Sequence, residues 1–119
     1  MKLKFHHINY VSKNVDELNN FYTKIMGLNT LPAQNFIRTG ATKEFGYDGI
    51  IKFVTDGQMQ MHLAEKDLTI AAKNNRHINP VERGHIAFRT DNIDEFKDIL
   101  DREGVPYADY GTTFSQEWH

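Results

Sequence analysis

Apolar and polar residues alternate at the start of the chain and then change period. Ile8 and Tyr10 alternate with His7 and Asn9, the two-residue period of a half-buried strand. From Asn14 the period becomes helical, with Val15, Leu18, Phe21, Tyr22 and Ile25 on one stripe. Asn14 is placed to cap that helix, with Glu17 three residues on, and Gly27 to end it in a left-handed conformation. The same grammar returns later. A strand over residues 83–90 leads to Asn92 as cap, Glu95 as its partner, a stripe of Ile93, Phe96, Ile99 and Leu100, and Gly104 as terminator. Between the two units lie a weak mixed stretch at 34–39 and a strong strand pattern at 49–54. An Asp56-Gly57 turn signal and a cleanly alternating segment at 58–64 follow, so these last two strands form a hairpin. Residues 67–74 suggest a short helix before the Asn79-Pro80 joint.

The two units are copies. Residues 7–22 and 85–100 align at a constant offset of 78, with five of sixteen positions identical: His7/His85, Ile8/Ile86, Asn14/Asn92, Asp16/Asp94 and Glu17/Glu95. The chain therefore reads as one α+β domain over residues 1–119. Its first βαβββ module covers 1–66, a linker 67–81, and a partial second module 82–119. Adding the offset to His62 gives position 140, beyond the 119 residues of the sequence, so the second module is expected to be incomplete here.

Composition removes several classes of function. The chain has no cysteine, which excludes thiolate zinc sites, disulfides and cysteine nucleophiles. A net charge of −2 and the absence of a basic stripe argue against nucleic acid as a partner. No apolar run approaches the roughly 18 residues of a membrane helix, and no signal core follows the N-terminal lysines, so a cytoplasmic location is expected. What remains is six histidines, which offer metal ligands or acid–base groups near neutral pH.

Strand parity sorts those histidines. If Ile8, Tyr10, Ile86 and Phe88 pack beneath the helices, His7 and Asn9, and likewise His85, Ala87 and Arg89, share the other face of the sheet. In the 58–64 strand, Met59, Met61 and Leu63 form the apolar face, and Gln60 and His62 the opposite one. His7, His62 and His85 are thus candidate ligands of one metal ion, with Asn9 and Arg89 as candidate substrate contacts. By the same parity His6 points to the helix side, and His77 falls in the linker.

The segments HHINYVSKNVDELNNFYTKIMGL and GHIAFRTDNIDEFKDILDREGV resemble the vicinal oxygen chelate superfamily, which includes glyoxalase I, extradiol dioxygenases and bleomycin-resistance proteins. The resemblance implies paired βαβββ modules around a cupped site that commonly holds a divalent metal (iron, manganese, nickel or zinc). Residue by residue, it implies a ligand at His7 and another at His85. His62, in Met61-His62-Leu63, stands where many members carry glutamate or glutamine. A further metal-binding glutamate of the family belongs to a final strand that would lie past His119. The implied function is a metal-dependent enzyme of the glyoxalase or dioxygenase type, acting on a small molecule that chelates the metal through vicinal oxygens. The alternative is a non-catalytic, small-molecule-binding protein of the antibiotic-resistance kind. The open second module leads us to expect either a homodimer or a longer natural chain.

Overall fold

A computed structural model describes residues 1–32, 38, 40–42 and 44–114. The elements are β1 (Leu3–Ser12), α1 (Val15–Asn20) continued by a π-helical turn (Phe21–Ile25), β2 (Asn29–Thr30), β3 (Ile51–Thr55), β4 (Gln60–Glu65), α2 (Ile70–Lys73), β5 (Gly84–Thr90) and α3 (Ile93–Arg102). The five strands form one mixed sheet in the order β2-β3-β4-β1-β5. β1 runs parallel to β4 and antiparallel to β5, so the first strand of each repeat lies beside the other. The α+β architecture matches the expectation. The 34–39 strand lies outside the described residues except at Arg38, and β2 is a two-residue strand without a sequence signal.

The repeat has a direct geometric expression. Ile8 stands opposite Ile86, its own counterpart at the offset of 78, while Asn9 faces His85 and His7 faces Ala87. These last two pairs exchange under the repeat, so a local two-fold passes through the Ile8–Ile86 pair.

The helix caps follow the sequence. The side-chain oxygen of Asn14 accepts from the Glu17 backbone N–H at 3.0 Å, and that of Asn92 from Glu95 at 3.0 Å. The Glu17 carboxylate accepts from the Asn14 side-chain amide at 3.3 Å. Gly27 and Gly104 take φ values of +76° and +68° past the helix ends.

Helix packing departs from expectation. Val15 of α1 is buried with Val54 and Leu63, and Leu18, Tyr22, Leu28 and Met61 pack around them. The first helix therefore covers β3 and β4 more than the strand that precedes it. α3 buries no residue completely and is tied by polar contacts such as Lys97 to Asp109 at 2.9 Å. As a result Ile8, Tyr10, Ile86 and Phe88, expected beneath helices, are about half exposed, as is Phe5, whose ring centroid lies 4.7 Å from that of Phe88.

A second core forms on the other face of the sheet. Tyr47, Ala64, Ile70, Val81 and Tyr110 are buried together, with Ile51, Ala108 and Phe114 against them. Buried Asn74 ties this layer together: its side chain accepts from the Gly46 N–H at 2.7 Å and donates to the carbonyls of Gly46 and Ile70. This layer of loops and α2 walls off one end of a space above the sheet.

Candidate metal and ligand site

Two rungs of side chains cross the sheet beneath that space. One runs Phe53, His62, Asn9, His85 and the next Thr55, Gln60, His7, Ala87, as the register of β3, β4, β1 and β5 dictates. The predicted site residues thus share one face. His7 and Asn9 are nearly buried and His62 completely so; His85 is half-buried. A cavity of about 600 Å³ lies over them, a volume suited to a small organic ligand. His7, Asn9, His85 and Arg89 line it, with aromatic walls from Tyr47, Phe53, Tyr110 and Phe114. His62 lies beneath, its ring stacked on His7 at 3.6 Å between centroids.

His6 departs from the parity argument. The β1–β5 register shifts between Phe5, opposite Phe88, and His7, opposite Ala87, so His6 is one extra residue in the ladder. A bulge of this kind puts two successive side chains on one face. His6 accordingly reaches the cavity, where its Nδ1 is 2.8 Å from Nδ1 of His7. His6, His7 and His62 each bring one ring nitrogen within 4.8 Å of the others and are placed to hold a metal ion. On the other side of the His7 ring, Nε2 lies 3.4 Å from Nε2 of His85. His85 Nδ1 is 2.8 Å from the Pro80 carbonyl oxygen, to which it must donate.

The electrostatics favour neutral imidazoles. Burial pulls the His7 pKa from 6.5 down to about 3, helped by the neighbouring His85, His6 and Arg89 charges. Burial and the charges of His7, His6 and His85 take His62 to about 2. Burial also lowers His85, against the Pro80 hydrogen bond. Neutral rings keep a lone pair, which is what a divalent ion needs, so the donor set fits such an ion. The His6–His7–His62 group contains no carboxylate.

Asn9 adds a second polar element. It is 7% exposed, and among the described residues its side-chain oxygen meets no hydrogen-bond donor. Two guanidinium groups also line the cavity. Arg89 Nη2 lies 3.2 Å from His6 Nε2. Arg38 donates to the carbonyls of Gly49 at 2.9 Å and Tyr47 at 2.5 Å and sits over the Tyr47 ring. Arg38, Tyr47 and Tyr110 carried no sequence signal, because they lie in segments without periodicity. Lys52 pairs with Leu63 on the opposite face and does not reach the cavity.

Comparison with known proteins agrees with the geometry. A family model described as the Glyoxalase/Bleomycin resistance protein/Dioxygenase superfamily matches residues 4–110. Among solved structures, the chain resembles the hypothetical protein BH1468 from Bacillus halodurans C-125, with a TM-score of 0.58 and 19% identity. That match covers 87% of this chain and 70% of the other, and at this identity it speaks for the fold alone. No curated protein matches the sequence.

Proposed function

Because the chain belongs to the Glyoxalase/Bleomycin resistance protein/Dioxygenase superfamily, we propose that it is a metal-dependent enzyme acting on a small molecule that chelates the metal through vicinal oxygens. The observation that carries this reading is the histidine cluster around His7, which includes the sequence-assigned His62 and His85, under a cavity of about 600 Å³. A bound divalent ion (iron, manganese, nickel or zinc) would supply Lewis acidity, withdrawing electron density from the chelating oxygens. The chain's own residues do the rest. The rings of buried His7 and His62 and half-buried His85 would hold the ion without adding charge to it. Asn9 offers an acceptor oxygen to a ligand hydroxyl or amide, and Arg89 offers a cation to an anionic group. The aromatic walls exclude water and fit a flat, largely apolar body.

Metal analysis of freshly purified protein tests the reading, together with the double variant His7→Ala/His85→Ala. Stoichiometric divalent metal in the parent and its loss in the variant are expected. Unchanged metal content in the variant overturns the assignment. The aromatic cavity also favours a second reading, a non-catalytic protein that sequesters a small molecule. Undiminished ligand binding after chelation of the metal distinguishes it. The half-exposed face of Phe5, Ile8, Tyr10, Ile86 and Phe88 supports pairing of two copies in solution, which light scattering measures.

A further inference from the structure

We infer that His6 is a positioning residue, holding His7 with its Nε2 toward an ion shared with His85 and coupling the loading of that ion to Arg89. The inference rests on the metal-dependent reading above and extends it to a histidine on the β1 bulge that this reading does not use.

Two distances identify the side of His7 that faces the ion. Two imidazole nitrogens on one tetrahedral ion, each about 2.0–2.1 Å from it, lie about 3.4 Å apart. His7 Nε2 and His85 Nε2 stand 3.4 Å apart. At His85 the other nitrogen is already committed, because the Pro80 carbonyl can only accept and the ring must donate to it from Nδ1 at 2.8 Å. Neutral His85 therefore presents the lone pair of Nε2. Ligating imidazoles are commonly held in this way, by an acceptor on the nitrogen that the metal does not use. His6 stands toward His7 as Pro80 stands toward His85, with Nδ1 at 2.8 Å from His7 Nδ1. With Nε2 on an ion, His7 carries its hydrogen on Nδ1, and His6 accepts it.

The consequence appears at the far side of His6. Its Nε2 lies 3.2 Å from Arg89 Nη2, and a guanidinium only donates. Without an ion, every link runs from donor to acceptor. Arg89 donates to His6 Nε2, His6 donates from Nδ1 to His7, His7 donates from Nε2 to His85, and His85 donates from Nδ1 to Pro80. With an ion on His7 Nε2, the hydrogen of His7 sits on Nδ1 and that of His6 on Nε2, with no change in net charge. Hydrogen then faces hydrogen between His6 and Arg89. The His6–Arg89 contact becomes repulsive, which biases the guanidinium, already on the cavity wall, toward an anionic ligand there. In the competing arrangement His6 is itself a ligand, with His7 and His62.

Zinc affinity, measured by competition with a chromophoric chelator, separates these roles when wild type, His6→Ala and His6→Asn are compared. Asparagine puts an oxygen where Nδ1 of His6 stands and has no atom at the Nε2 position. His6→Ala is expected to weaken zinc binding about 10–100-fold, and His6→Asn to restore most of the loss. In the wild type, 15N spectra of the imidazoles should show zinc moving the His6 hydrogen from Nδ1 to Nε2. An asparagine variant as weak as the alanine one, or a zinc-bound nitrogen on His6, overturns the positioning role and leaves the metal-dependent reading standing. Zinc bound at His7 and His85 with the His6 hydrogen still on Nδ1 overturns the coupling to Arg89. No zinc-induced change at His7 or His85 overturns the metal-dependent reading and this inference together.

Discussion

Lowering the pH from 7 to 5 should cost the metal-free protein a large share of its stability, through histidines that refuse protons. His7 and His62 are buried, and their pKa values fall from 6.5 to about 3 and about 2. The unfolded chain takes up these protons near pH 6.5, whereas the folded chain stays neutral at both rings down to about pH 3. Since the unfolded state binds more protons throughout that window, stability is fully present above pH 6.5 and falls as the pH drops below it. Between pH 7 and 5 each ring removes about 1.9 kcal/mol, so the two together remove about 4 kcal/mol. Neither ring is protonated in the folded chain at pH 5. His85, also lowered, adds in the same direction. Against a typical total of about 5–15 kcal/mol the loss is considerable. Urea denaturation of chelator-treated protein at pH 7, 6 and 5 measures it, with the double variant His7→Gln/His62→Gln as reference. A wild-type midpoint that stays level from pH 7 to 5, or a slope equal to that of the double variant, refutes the reasoning.

Gly84→Ala should destabilise by about 1–3 kcal/mol from backbone strain alone. Gly84 has φ +117°, and a Cβ there would lie 2.5 Å from the Asn9 carbonyl oxygen. Because Asn9 and His85 flank that contact, zinc affinity should fall with it; a variant with unchanged melting and unchanged zinc titration contradicts this. Leu63→Ala, which empties a fully buried position beside Val54 and Val15, should cost about 2–5 kcal/mol in chemical denaturation, and a loss below 1 kcal/mol argues against the packing described. Asn92→Ala should cost about 1 kcal/mol and speed hydrogen exchange in the first turn of α3, where no residue is fully buried; unaltered exchange there counts against the cap.

The repeat made much of this legible. An offset of 78 placed His7 and His85 in equivalent positions, and the antiparallel pairing of β1 with β5 carries that equivalence into space. The alternation of 58–64 assigned His62 to the same face, as the β4 register has it. Parity misplaces His6 because it assumes an unbroken period of two, and a bulge leaves no mark in composition. The exposure of Ile8 and Tyr10 was hidden for a different reason. Apolar periodicity says that a strand has a face to bury, but it is the path of α1 across β3 and β4 that decides which strands are covered. The cavity wall was beyond reach, since Arg38, Tyr47, Tyr110 and Phe114 meet only through tertiary contacts of irregular segments.

The bulge at His6 also works as a mechanical break in β1. Residues 3–5 pair with 90–88 in one frame, and residues 7–10 pair with 87–84 in the next. A slip of one position in the N-terminal arm is absorbed where the ladder already tolerates an extra residue, and it is not transmitted to Asn9 and Tyr10. Length variation at that end of the chain is thereby insulated from the two rungs that carry the histidines.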